Sequence, residues 1–134
     1  MKFNIRHKLY GHTLAEHIET VSDELPVDAV GLWQIVPAGR QGFDLRGDDL
    51  TEFVRLCILA LLEHGAKPVV GGGGTEYDWL FQPQYGESNE DIVNAVLNEW
   101  LAAGAEDCDP GGLWFALPSE DVGNLPQRCS EKPS

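Results

Sequence analysis

One apolar stripe constrains the fold of this chain more than any other feature of its sequence. The stripe keeps the i, i+3, i+4, i+7 spacing of one helix face over about four turns. It consists of Leu50, Phe53, Val54, Cys57, Ile58, Leu61 and Leu62. Asp48 and Asp49 favour the N-terminal end of such a helix, and His64 followed by Gly65 is typical of its C-terminal end. The pattern predicts a core helix, with Cys57 buried in it as a small apolar side chain.

Capping patterns predict two further helices. Thr13 and Glu16 have the spacing of a capping box, and the stripe that follows, ended by Pro26, is Leu14, Ile18, Val21 and Leu25. Ser88 and Asp91 repeat the pattern before a second stripe, closed by Gly104, of Ile92, Val93, Val96, Leu97, Trp100 and Leu101. Both segments are therefore expected to pack an apolar face against the core.

The segment 29–36 is compatible with two structures. Asp28 can cap a short helix that Pro37 and Gly39 stop, and such a helix would place Val30, Trp33 and Pro37 on one face. A buried strand fits the same run equally well, because periodicity does not separate the two at this length. The helix is the favoured prediction, and the strand stays open.

Short apolar segments predict strands. The segments 66–70 and 76–81 flank the glycine run 71–74 and form a predicted hairpin, while 113–118 is a short strand or extended segment and 2–10 a short strand. The predicted fold is therefore α+β and mainly helical, with three to four helices packed against a small antiparallel sheet or hairpin. Residues 1–118 form a single globular domain, and residues 119–134, which have little apolar content, form a loosely ordered C-terminal tail.

The charges are strongly unbalanced and segregated. There are 22 Asp and Glu against 9 Lys and Arg, which gives a formal net charge of −13. No Lys or Arg occurs between Pro68 and Gln127 or between Tyr10 and Gly39, although both stretches carry many carboxylates. Solubility alone would explain an acidic excess, but it does not require long stretches of one sign. Such a field repels nucleic acid and anionic membranes, so neither is an expected partner, and it attracts basic proteins.

Patterns typical of catalysis or cofactor binding do not occur in the sequence. The glycine run 71–74 lacks the Lys-Ser/Thr of a phosphate loop, and His12 and His17 are five positions apart, which favours histidines on a helix surface over a zinc pair. We expect no catalytic residues, no metal and no cofactor. The first residues lack a secretory signal and no apolar run is long enough for a membrane span, so the expected location is the cytoplasm, with reduced thiols.

The best candidates for partner binding are carboxylates that alternate with aromatic residues around the hairpin. The first choice is Glu76, Asp78, Trp79, Glu87, Glu90 and Asp91, and the second choice is the acidic face of the first helix, Glu16, Glu19 and Asp23. Tyr77, Trp79 and Phe81 would share one strand face, which would pack inward in an ordinary half-buried sheet, leaving only the acids in water.

Several segments resemble a family of small bacterial proteins that accompany secreted toxins. They are Leu32-Trp33, the runs 50–55 and 61–69, Tyr85-Gly86, Glu99-Trp100-Leu101 and the run 114–118, within Val30 to Pro118. The chain is similar in these segments to immunity proteins of polymorphic-toxin and contact-dependent growth-inhibition systems. The resemblance implies a protein that neutralises a cognate toxin, often a nuclease, by covering its basic active site, and it assigns no individual contact residues.

Two other functions remain open. One is a small acidic enzyme or ligand-binding domain, with a pocket under the hairpin lined by Trp79, Tyr85 and Trp100. The other is a regulatory protein-interaction module bound to some other basic protein.

Overall fold

The computed structural model describes residues 3–125 and confirms the central helix. Helix α3 spans Gly47–Glu63, with Asp48 and Asp49 in its first turn, and every member of the predicted stripe is buried. His64 ends the helix, and its backbone N–H donates to the carbonyl of Ala60. Helix α4, Asn89–Ala102, packs along α3 and buries Ile92, Val93, Val96, Leu97 and Trp100. The Ser88 side chain accepts a hydrogen bond from the Asp91 N–H at 3.0 Å, which confirms the predicted cap.

Helix α1, Leu14–Thr20, begins with the predicted capping box. Thr13 Oγ1 accepts from the Glu16 N–H at 3.1 Å, and Glu16 Oε1 accepts from the Thr13 N–H at 2.7 Å. The chain continues as a 3₁₀ turn, Val21–Glu24, rather than as an α-helix. Leu14 and Leu25 at the ends of the stripe are buried, so this segment packs on the core as its pattern indicates.

The segment 29–36 contains both of the structures that its sequence allows. Strand β1 is Val30–Gly31, and helix α2, Leu32–Pro37, follows at once. The Gly31 N–H donates to Gln34 Oε1 at 2.8 Å, whereas Asp28 Oδ1 accepts from the Ala29 N–H at 2.7 Å and caps no helix. Pro37 lies within α2, and a π-helical turn, Ala38–Gly42, extends it.

The predicted face of this helix is therefore wrong. Val30 lies on the strand, Trp33 and Pro37 are partly exposed, and α2 buries Leu32, Ile35 and Val36 instead. The buried face differs from the predicted one because α2 begins directly after β1. The pairing of β1 with the strand 114–116 fixes the orientation of the first helical turn.

Five short strands form one mixed sheet in the order β1-β4-β2-β3-β5. Strand β2 is Lys67–Gly71, β3 is Trp79–Phe81, β4 is Trp114–Ala116 and β5 is Val122–Gly123. β2 and β3 pair antiparallel as the predicted hairpin, and β5 pairs parallel to β3. The α+β, mainly helical class is thus confirmed, and the parallel edge is a feature that the sequence pattern does not indicate.

Both chain ends differ from expectation. The segment 3–12 makes only an isolated bridge between Arg6 and Thr13, because His7 Nδ1 accepts from the N–H groups of Leu9 and Tyr10 and folds the chain into a turn. Ordered structure also continues past the predicted boundary at Pro118, since β5 follows it, Val122 is buried and Leu125 packs beside it. The rest of the predicted tail, 126–134, lies outside the described residues.

The two faces of the sheet have different surroundings. The inner face, which carries Val30 and Phe115, joins the core formed by the helices. The outer face carries Val69 of β2. This residue pairs with Phe81 of β3 on one side and with Trp114 of β4 on the other. The buried apolar cluster on this outer face is formed by residues of the strands and loops. Within residues 3–125, no helix has the length and apolar character to cross a bilayer.

Candidate partner-binding surface

A row of three tryptophans lies along the outer face. The ring centroids of Trp79 and Trp114 are 5.1 Å apart, and those of Trp114 and Trp33 are 6.0 Å apart. Trp33 comes from the first turn of α2, and it can approach because residue 31 is glycine: a Cβ there would lie 2.5 Å from the Trp33 ring. Trp114 Nε1 donates to the carbonyl of Pro110 at 2.8 Å, which fixes its ring. These rings are partly exposed, so the outer face presents aromatic surface.

Beside this row lies a groove of about 410 Å³, here called the acidic groove. It is lined by the loop 25–29, by Asp78 and Trp79, and by most of the segment 116–122. This last segment connects β4 to β5, which run in the same direction, so it must cross the sheet and form a wall. Val27 is 86% exposed on the opposite wall, an unusual position for an apolar side chain.

Three carboxylates from distant parts of the sequence line the acidic groove. Asp28, Asp78 and Asp121 are all exposed there. The backbone joins two of them, because the N–H groups of Asp78 and Trp79 donate to the carbonyl of Asp121 at 3.0 and 3.1 Å. Among the described residues that line the groove there is no Lys or Arg. The groove therefore combines negative charge with an apolar and aromatic lining.

The first-choice residues from the sequence divide between two places. Asp78 and Trp79 line the acidic groove, and Glu76 is exposed in the loop just before them. Glu87 lines a separate cavity of about 600 Å³ with Lys67, Phe81 and Ile92. Glu90 and Asp91 lie exposed in the first turn of α4.

The second-choice residues, Glu16, Glu19 and Asp23, are exposed on α1 and the turn after it, and they do not line the acidic groove. Glu16 has a structural role in the capping box. Hydrogen bonds from the backbone and side chain of Thr13 lower the pKa of its carboxyl group.

The sequence pattern missed Asp28 and Asp121. Asp28 has the spacing of a helix cap, and Asp121 lies in the segment predicted as a tail. The only signal for Asp121 was the neighbouring pair of apolar residues, Val122 and Leu125, in an otherwise polar stretch. Trp33 and Trp114 belong to apolar segments of the sequence, yet both are only partly buried.

The pocket proposed under the hairpin is not lined by the three residues expected. Trp79 lines the acidic groove, whereas Trp100 is 5% exposed and donates from Nε1 to the carbonyl of Glu106. Tyr85 donates to Glu99 Oε1 at 2.6 Å. Burial and this hydrogen bond raise the pKa of Tyr85 above its usual range.

A histidine cluster lies apart from this surface, at the start of α1. His12 Nε2 and His17 Nδ1 are 2.9 Å apart, and the ring of His7 lies 5.1 Å from that of His12. His17 was expected on a helix surface, but it packs against Phe43 and Phe53 and is only partly exposed. Within residues 3–125, no group of three or more His, Cys, Asp or Glu side chains is arranged to hold a metal ion.

Comparisons with protein-family models, with characterised proteins and with solved structures found no match to this chain. The function is therefore inferred from the surface itself.

Proposed function

We propose that this chain is an immunity or inhibitor protein that binds and neutralises a cognate basic toxin domain, such as a nuclease, in the cytoplasm. The observation that carries the proposal is the acidic groove, where Asp28, Asp78 and Asp121 line the same groove as Trp79 and no Lys or Arg belongs to the described lining. Binding a partner, rather than catalysis, is the proposed role.

The chemistry of the groove suits a basic protein partner. Carboxylates at a rim steer the approach of a positively charged surface and raise the association rate. Tryptophan in the centre of an interface supplies a large contact area with little loss of side-chain entropy, and such residues often dominate binding energy. A nuclease binds phosphates in a basic cleft, so carboxylates at similar positions can occupy that cleft and exclude the substrate.

The test is binding to the C-terminal domain of a toxin encoded beside this chain's gene. We expect Asp78→Lys to lower the association rate by roughly tenfold, and rising salt to lower the wild-type rate, because screening removes the steering field. Glu63→Lys is the matched control, since it makes the same charge change at the exposed end of α3, outside the groove.

Protection of cells that express the toxin domain provides the functional measurement. The wild-type chain and Glu63→Lys should restore growth, and Asp78→Lys should not. If the two variants weaken binding equally, only net charge matters and the groove is not the site. If the chain binds the domain without protecting cells, it is a regulatory module rather than an immunity protein.

A further inference from the structure

The ring of Trp79 is held in place at the acidic groove. It packs against Trp114 at a centroid distance of 5.1 Å and an interplanar angle of 47°. Trp114 is fixed in turn by its hydrogen bond to Pro110 and by contact with Trp33. A ring supported in this way loses little conformational freedom when a ligand covers it, so it is preorganised for stacking.

The carboxylates that flank Trp79 have acceptor capacity to offer a ligand. Asp28 uses Oδ1 for the Ala29 N–H, and the backbone contacts that join Asp78 to Asp121 involve the carbonyl of Asp121 rather than a carboxylate. The ion pairs found within residues 3–125 join other residues, near Asp44, Asp107 and Glu52. A cationic side chain of a partner can therefore reach these oxygens without displacing an internal cation.

Among the basic side chains, arginine matches this combination best. Its planar guanidinium stacks on an indole ring while its N–H groups form paired hydrogen bonds to a carboxylate. It is also more weakly hydrated than the lysine ammonium, so it loses less on entering a groove with apolar walls. Leu25, Ala116 and Val122 provide such walls, and the exposed Val27 extends them at the margin.

We infer that the acidic groove selects an arginine carried between apolar residues of the partner, and discriminates against lysine at the same position. The arginine stacks on Trp79 and pairs with Asp78 or Asp121, and its apolar neighbours contact the walls. This inference rests on the proposed function, because it takes the acidic groove to be the docking site.

Two short peptides test the selectivity on the wild-type chain, namely Ac-Leu-Arg-Leu-NH₂ and Ac-Leu-Lys-Leu-NH₂. Titrations followed by amide and indole NMR signals should show shifts at Asp78, Trp79 and Asp121. We expect the arginine peptide to bind roughly three- to tenfold more tightly, the range that stacking and a paired hydrogen bond allow at a partly exposed site.

Variants separate the contribution of the Asp78 carboxylate from that of stacking on the Trp79 ring. Asp78→Asn should weaken the binding of both peptides, and Trp79→Leu should remove the preference for arginine. Glu63→Gln, at the exposed end of α3 outside the groove, should leave the affinity for both peptides unchanged. The wild-type comparison decides the question even if Trp79→Leu fails to fold. Equal affinity for both peptides at the groove overturns arginine selectivity and leaves the docking site standing. If neither peptide shifts the groove signals, while the toxin domain binds elsewhere, the site itself is wrong.

Discussion

Burial of a single imidazole couples the stability of this chain to pH. His17 packs beside Phe43 and Phe53, and this burial, reinforced by the nearby His12 and His7, lowers its pKa to about 4. His7 has a lowered pKa for the same two kinds of reason, burial first and the proximity of His12 second. Protonation of His17 would place a charge against two phenylalanine rings and beside neighbouring imidazoles, so folding favours its neutral form.

We predict that stability falls as the pH is lowered through the range in which His17 titrates. Its pKa is about 6.5 in the unfolded chain and about 4 in the folded chain, so the unfolded state binds more protons between these values. The stability that the chain has with neutral His17 is therefore complete above the unfolded-state pKa, and it is lost progressively as the pH falls toward the folded-state pKa. Allowing for partial exposure, the loss is about 2 kcal/mol.

Urea unfolding at a series of pH values measures this effect. The slope of the unfolding free energy against pH should be smaller in His17→Phe, which keeps an aromatic ring but cannot titrate. His64→Gln is the control, because His64 is exposed at the end of α3. Equal slopes in the wild type and His17→Phe would contradict the prediction, since carboxylates titrate in both and cancel in the comparison.

The position of His17 could not be predicted from spacing alone. Its five-residue separation from His12 excludes neighbouring positions on one helix face, which suggests that each ring is independently exposed. His12 in fact precedes the N-cap Thr13, so its backbone is not helical and its ring can reach back to His17. Phe43, from a distant loop, then covers the pair.

At the scale of elements, the capping box at the start of α1 stabilises the folded chain by an amount that can be measured. We predict that Thr13→Ala lowers the unfolding free energy by about 1 kcal/mol, because the Glu16 N–H loses its acceptor at a helix end. The pKa of the Glu16 carboxyl should rise only in part, because the variant removes the side-chain hydrogen bond of Thr13 but keeps the backbone N–H, whose hydrogen bond is the larger cause of the lowered pKa.

Chemical denaturation and carboxyl NMR titration provide the two measurements for this variant. Thr20→Ala is a matched control in the last turn of the same helix, where the hydroxyl only donates back to the carbonyl of Glu16. It should change stability by less than about 0.5 kcal/mol. A Thr13→Ala variant no less stable than Thr20→Ala would show that the box contributes nothing.

Elements with local signals were predictable, and elements that depend on distant pairing were not. The stripes of α3 and α4 extend over several turns, and their caps lie within a few residues of the ends. The short strand β5 has no such signal, because it exists only through pairing with β3, some forty positions earlier. The lining of the acidic groove was likewise predictable only in part. Asp78 and Trp79 belong to a hairpin that the sequence pattern predicts, whereas Asp28 and Asp121 lie in the loop 25–29 and in the crossover to β5.

At the scale of the whole molecule, the same charges should act in opposite directions on folding and on binding. The net charge of −13 means that the folded chain holds many carboxylates closer together than the unfolded chain does. The ion pairs among residues 3–125 engage only a few of them. Screening by salt weakens repulsion within the chain and also weakens attraction to a basic partner.

We therefore predict that raising NaCl from about 20 mM to about 300 mM increases the Tm by a few degrees, while it slows association with the toxin domain. NaCl is preferred to sulfate, because sulfate also strengthens apolar burial. Asp121→Asn should raise the Tm at low salt and reduce the response to salt, since it removes one charge from beside Asp78. A Tm that falls with NaCl would mean that attractive pairs dominate the folded state. The ion pairs near Asp44, Asp107 and Glu52 would then outweigh the repulsion among the unpaired carboxylates, and the predicted response of the Tm would be wrong.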